Sequence, residues 1–481
     1  MYIVFVYFDF MKGAGGKYYE GLASLSACLK QQGHKVCLFH ITEKLPLNQF
    51  LDAFKSKYSD ANVVGFSSTS NVFPYVDEFS IALKKTFPKI VTICGGPQPT
   101  LLPKETLESP GLDIICRGEG EFAMLELCQR LESGTDITSI QGLGIKQGHQ
   151  IYSNPPRSPI QDLDSLPYPD RELFDYERSV DKIMNHLACM GSRGCAYNCT
   201  HCCNHAFREL YPNGSAYVRF KSPNRLIAEI KQALLQYPEI KLISFDDDIL
   251  LLKKNWYSEF LEKYKNEIHK PFTCNTRFEL IHNEVLDKLK EAGCHRIHIG
   301  LESGNQYIRT EILNRKQTTQ MILSTGQIIE QKQMPLSLYN MVGIPYETPA
   351  AALDTVKLNA RLKACRMQVS IFYPYPATDL YVLCQNKGFL TGKRLDSYFE
   401  SETILQLPGF PAGKILFAYH HFKIFVSYYR TVFSFKQPWQ SFFEKLVDFL
   451  WFHPKFYTII NPPYRALKKV YKSIRRVFTK K

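Results

Sequence analysis

Short apolar runs rich in β-branched and aromatic residues alternate with helix-periodic segments along this chain, in two separate series. In the first, IVFVYF, KVCLFHI, NVVGFSST, IVTICGG and LDIICRG are each bounded by Gly, Pro, Ser or charge. Helical periodicity fills the gaps, as from Tyr18 to Gln32 and from Val76 to Phe87. Runs that are apolar on both faces need cover on both faces. The spacing therefore predicts a Rossmann-like parallel sheet wrapped by helices over residues 1–140. Ligands of such sheets bind beyond the carboxyl ends of the strands. The loops expected there are SSTSN (67–71), GGPQPT (95–100) and RGEGE (117–121), rich in the small residues that let a bulky polar ligand approach the backbone.

Residues 141–183 hold a Pro- and Asp-rich stretch without sustained period and are expected to link two domains. The second series follows: HLACMGS, LISFDDD, FTCNTRF, RIHIGLES, LYNMVGIP and QVSIFYPYP. Six strand–helix units over residues 184–395 predict a partial (β/α)6 barrel, with active groups at the carboxyl ends of its strands. Residues 396–481 change character, becoming aromatic, basic and helical in pattern.

The chain carries fourteen cysteines in 481 residues. Its start reads as a β-strand rather than a signal peptide, so reduced thiols in a cytoplasmic setting are expected. Cys37, Cys94 and Cys116 fall inside strand-like runs and read as small buried hydrophobes. The segment SRGCAYNCTHCC differs, placing Cys195, Cys199 and Cys202 at i, i+4 and i+7. Thiolates are the natural ligands of iron–sulfur clusters, and three from one loop leave a fourth iron open for chemistry. A structural zinc site is the alternative, but zinc prefers two separated ligand pairs and the sequence offers no second C-x-x-C.

This loop, with SRGC before it and FDDD, IGLESG, ILNR, GIPYET and FYPYPATDLY after it, resembles the radical S-adenosylmethionine (radical SAM) enzymes. The N-terminal α/β series followed by LPYPDR resembles their cobalamin-binding subfamily, which includes B12-dependent methyltransferases and the anaerobic magnesium-protoporphyrin ester cyclase. The resemblance implies a [4Fe–4S] cluster on Cys195, Cys199 and Cys202. It further implies that Asp246 and Asp247 approach the methionine ammonium of S-adenosylmethionine. Glu302 and Ser303 would meet its ribose and carboxylate region, and the backbone at Gly343 and Pro345 its adenine. Where the family usually has an aromatic before the third cysteine, this chain has His201.

The same resemblance implies cobalamin above the first sheet, contacted by Ser67, Ser68, Gly95, Gly96, Gly118 and Glu119. The D-x-H-x-x-G motif that supplies a lower axial His is missing, and His34 and His40 lie in the wrong context, so the expectation is cobalamin without a His ligand, the alternative being a domain that serves as scaffold and binds no cobalamin. The implied activity is reductive cleavage of S-adenosylmethionine to a 5′-deoxyadenosyl radical, followed by methyl transfer to an unactivated carbon. An oxidative cyclase or other redox catalyst is the alternative within the class. A membrane- or nucleic-acid-binding protein with a structural metal is the alternative outside it. Expected partners are a small-molecule or lipid-linked substrate and a low-potential donor such as ferredoxin or flavodoxin. The net charge of +13 is concentrated at the end, where no acid follows Asp448 while Arg465, Lys468, Lys469, Lys472, Arg475, Arg476, Lys480 and Lys481 crowd together. That asymmetry points to an anionic partner, with the inner face of a membrane favoured over nucleic acid.

Overall fold

The computed structural model describes residues 1–10, 15–211, 217–396 and 402–457. The first sheet contains β1 (Tyr2–Phe8), β2 (Lys35–Ile41), β3 (Val63–Ser67), β4 (Val91–Gly95) and β5 (Ile114–Cys116), all parallel. A hairpin of β6 (Leu143–Gln147) and β7 (Gln150–Ser153) completes it, in the order β2-β1-β3-β4-β5-β6-β7. Ile3 and Phe5 enter one apolar cluster and Val4 and Val6 the opposite one, so the central strand is buried on both faces as its continuous apolar run requires.

The hairpin extends the first sheet beyond residue 140. Its sequence, LGIKQGHQIYS, is half polar because β7 is an exposed edge strand, and Gly148 turns it at φ 62°. The linker proper starts after Ser153.

The second sheet consists of β8 (His186–Cys189), β11 (Leu242–Phe245), β12 (Phe272–Thr276), β13 (Cys294–Glu302), β14 (Leu336–Val342) and β15 (Arg366–Ile371). These six are parallel, in the order β15-β14-β13-β12-β11-β8, and form a half-barrel. A short ribbon of β9 (Ser192–Arg193) and β10 (Arg219–Phe220) flanks it. Along β13, Ile297, Ile299 and Leu301 are fully buried against the outer helices, while His298, Gly300 and Glu302 alternate onto the concave face.

Helix Ala412–Val432 packs on helix Pro349–Arg361 and on β15, burying Ile415, Phe422, Phe425 and Tyr429 completely. Helix Trp439–Phe452 packs on it in turn. Among the described residues the region from Ala412 is thus helical as expected, and its first helix packs against the half-barrel at β15. The cations from Arg465 to Lys481 lie outside the described residues.

The two sheets meet through the loops at their carboxyl ends. Lys17, beyond β1, pairs with Asp246 beyond β11 at 2.9 Å. Asn71, beyond β3, donates to the Leu395 carbonyl at 2.8 Å. At the centre, Glu119 accepts from Arg193 at 3.0 Å and from Arg219 at 2.8 Å, and Arg193 also reaches Glu121 at 2.7 Å. These groups are largely removed from water, so losing one partner leaves a charge stranded. Arg219→Ala is expected to cost about 3 kcal/mol, since Glu119 keeps Arg193, and to lower the urea midpoint of the first unfolding transition accordingly.

Candidate active site

The cysteine loop follows β8 and is shaped before it reaches Cys195. Asp247, fully buried, accepts a hydrogen bond from the Gly191 amide at 3.0 Å and another from the Ser192 hydroxyl. Burial raises its carboxyl to about 6. Gly194 has φ 88°, and a Cβ there would lie 2.4 Å from the Tyr217 carbonyl oxygen, so glycine alone fits that bend.

Beyond the bend, two guanidinium groups converge on one thiol. Arg277, just after β12, approaches Cys199 Sγ at 3.5 Å, and Arg315 approaches it at 3.6 Å. The Arg277 guanidinium also lies 3.7 Å from the centre of the Tyr197 ring. The neighbouring Cys203 thiol and the Asn204 amides favour the Cys202 thiolate, bringing it down to about 7, whereas burial pushes Cys195 up to about 11. Burial, reinforced by Arg315 and Arg277, lowers His201 to about 3, so its ring is neutral.

The acidic run after β11 divides its labour. Asp247 holds the loop. Asp246 faces Lys17 and the Ser244 hydroxyl, the latter at 2.9 Å. Asp248 instead shares the recess with Cys195, Cys202 and Cys203, and its carboxyl is raised by the surrounding protein despite the Asn204 side chain. Within FDDD nothing in the motif distinguishes this carboxylate from Asp246 and Asp247.

Glu302 has φ 61° at a register shift between β13 and β14, and burial raises its carboxyl against the pull of Arg315 and Arg277. Ser303 is fully buried, and its carbonyl accepts from Arg309 at 2.8 Å. The Gly343 and Ile344 amides donate to Glu347 at 2.6 and 3.2 Å, and Pro345 is buried beside them. A Cβ on Gly343 would lie 3.1 Å from Ile415, which ties this turn to the C-terminal helices. The structure therefore gathers Cys195, Cys199, Cys202, His201 and Asp248 in one recess, and links Glu302 to it through the two arginines. Arg315 closes the ILNR segment and Arg277 falls in the FTCNTRF run, but neither pattern marks its arginine as a partner of the cysteine loop.

Across the interface, the order β2-β1-β3 places the topological switch point between β1 and β3, beside Ser67 and Ser68. The Ser68 amide donates to the Gly95 carbonyl at 2.9 Å. Gly96 and Gly118 have φ of 96° and 82°, and Cβ atoms there would lie 2.9 Å from the Ser68 carbonyl oxygen and 2.4 Å from the Tyr211 hydroxyl. The Tyr211 hydroxyl, on the segment after the cysteine loop, lies against Gly118 and so brings crevice and cysteine loop together. Glu119 has both carboxylate oxygens engaged by Arg193, Arg219 and the Ile160 amide. His34 contacts the N-terminal amine and His40 contacts Asp9.

Among the described residues no group of three His, Cys, Asp or Glu side chains is placed to hold a single metal ion. A cubane makes a different demand, because each protein thiolate binds a different iron and the sulfurs surround the core. Three thiols on one loop, one flanked by two cations and one biased to thiolate, suit that demand. The crevice likewise suits a large polar ligand. Both polar side-chain atoms of Gln98 are buried there without a partner, directly beyond the open backbone at Gly96.

Residues 190–358 match the radical SAM superfamily and residues 19–128 match the B12 binding domain. The chain is a radical SAM protein with an N-terminal cobalamin-binding domain, and its cofactors are a [4Fe–4S] cluster, S-adenosylmethionine and cobalamin. It is 26% identical over 399 residues to the uncharacterized methyltransferase PH0819 of Pyrococcus horikoshii, covering 82% of this chain and 84% of that protein. It is 24% identical to the anaerobic magnesium-protoporphyrin IX monomethyl ester cyclase of Rubrivivax gelatinosus, covering 75% of this chain and 65% of the cyclase. Its fold is shared with two solved structures. The radical S-adenosylmethionine methyltransferase TsrM from Kitasatospora setae, with cobalamin and [4Fe–4S] cluster bound, superposes with a TM-score of 0.62 at 16% identity, covering 80% of this chain and 75% of that one. The cobalamin-dependent S-adenosylmethionine radical enzyme OxsB gives 0.66 at 15% identity, covering 99% and 75%.

Burial pushes Glu347 up to about 8, above its unfolded value of 4.5. The folded protein then binds this proton more tightly than the unfolded chain does, so stability is lost as pH rises from about 4.5 to 8. Relative to Glu347→Gln, the wild-type melting temperature should fall progressively between about pH 5 and 9, as read by thermal melts of both proteins.

Proposed function

We propose that this radical SAM enzyme is a cobalamin-dependent methyltransferase acting on an unactivated carbon of a small-molecule or lipid-linked substrate. The observation that carries the reading is the apposition of the cysteine loop and the switch-point crevice across one interface, held there by the pairing of Glu119 with Arg193 and Arg219. When bound, the cluster supplies an electron to cleave S-adenosylmethionine and cobalamin carries the methyl group. Cys195, Cys199 and Cys202 serve as cluster ligands in this reading, with Arg277 and Arg315 donating to the Cys199 sulfur.

Asp248 is the carboxylate best placed to receive the methionine ammonium, because it alone of the acidic run shares the cysteine recess. The neutral His201 ring offers a flat, uncharged surface there for adenine. The ionic clamp of Glu119 and Glu121 with Arg193 and Arg219 closes the interface and keeps water out. Electrons come from a ferredoxin- or flavodoxin-like donor. The relatives support both outcomes weighed from the sequence. The relative named a methyltransferase spans more of both chains than the Rubrivivax cyclase does, which favours methyl transfer.

Anaerobically reconstituted protein given reductant and S-adenosylmethionine is expected to release 5′-deoxyadenosine. Cys195→Ala, Cys199→Ala and Cys202→Ala combined should abolish bound iron, visible cluster absorbance and that product together. Retention of iron and absorbance in the triple variant would sink the ligand assignment. With methyl-labelled S-adenosylmethionine and candidate substrates, label in the product supports methyl transfer, and an unlabelled, oxidised product supports cyclase chemistry instead.

A further inference from the structure

Helix Trp439–Phe452 has two unlike faces. Val447 and Trp451 are buried inward, and Trp451 Nε1 donates to the Pro349 carbonyl at 2.8 Å. Both of the helix's acids also turn inward, Glu444 and Asp448 pairing with Lys357 at 2.9 and 2.8 Å. The outward face carries Trp439, Phe442, Leu446 and Phe449, exposed by 62, 60, 49 and 43%, at spacings of three and four residues. Phe435 and Phe456 extend this stripe at either end, and Lys436, Lys445 and Lys455 are exposed beside it. An apolar stripe of this extent marks a contact surface.

We propose that this face docks on an anionic lipid bilayer, the helix lying in the headgroup plane with its aromatic side chains inserted. Charge chooses the occupant. No acid points outward from the helix, and the sequence beyond Asp448 contains Arg and Lys but neither Asp nor Glu. A second copy would bring two such cationic segments together, and their repulsion opposes self-association. The stripe is the convex side of a helix with aliphatic Leu446 among its rings, which suits an acyl boundary better than the bases of a nucleic acid. Among the described residues no helix is long and apolar enough to cross a membrane, so the contact is peripheral. The proposal concerns the outer surface of the C-terminal region and stands apart from the cofactor chemistry.

The test is flotation of the full-length protein, purified anaerobically, with vesicles of phosphatidylglycerol and phosphatidylcholine or of phosphatidylcholine alone. The expected result is flotation with the anionic vesicles only, weakened by high salt. Trp439 is the exposed member of three tryptophans, Trp256 and Trp451 being buried, so its emission should shift to the blue on binding. Trp439→Ser, Phe442→Ser and Phe449→Ser combined should weaken partitioning on the order of 100-fold or more. Release of 5′-deoxyadenosine in solution should stay unchanged in that variant, which separates failure here from failure of the proposed activity. The proposal is overturned if the wild-type chain stays with the unbound fraction, or if the variant floats equally well. It is also overturned if light scattering shows a dimer that the variant dissociates, or if RNA binding survives in the variant while neither protein floats.

Discussion

A carboxylate that accepts from two arginines across a domain boundary can relax only if both partners move. Glu119 is in that position, on the loop after the fifth strand of the cobalamin-binding domain, with Arg193 and Arg219 contributed by the half-barrel. Arg193 stands two residues before Cys195, and Arg219 lies opposite it in the short ribbon. The clamp therefore fixes where the cysteine loop begins relative to the crevice of the first sheet. Both sheets present their carboxyl ends to this boundary, which is where parallel sheets bind ligands, so the cysteine loop and the switch-point crevice share a single interface.

Within the recess, burial and fixed charge act on each group differently. Arg277 and Arg315 donate to the Cys199 sulfur and oppose positive charge on His201, while the surrounding protein raises Asp248, which keeps contact with solvent, and burial raises Glu302. Four segments distant in sequence share this environment, and removing charges from water strengthens their interactions. The chemistry of the site depends on that convergence as much as on the thiols.

Much of the architecture could be read directly. Continuous apolar runs separated by helical periodicity identified the five parallel strands of the first sheet and the six of the half-barrel. The β6–β7 hairpin escaped because an exposed edge strand needs no apolar face, and its Gly, Gln and His residues look the same as a linker. The cysteine triplet stood out because its three thiols lie in one short loop. Asp248 was harder. FDDD offers three equivalent carboxylates, and their directions follow from backbone alternation after β11, which sends Asp247 under the loop and Asp248 towards the thiols. Glu119 was expected at the corrin, but its two oxygens are taken by arginines from the other domain.

The amino-acid sequence alone determined the two parallel α/β layers, the spacing of the cysteine loop and the basic character of the residues after Asp448, because each depends on local pattern or composition. The tertiary structure decided which side chains surround those thiols, how the two domains lock, and which face of helix Trp439–Phe452 is left bare. Those outcomes are set by contacts between residues tens to hundreds of positions apart, and neither periodicity nor motif spacing encodes the direction in which a side chain will point across such a gap.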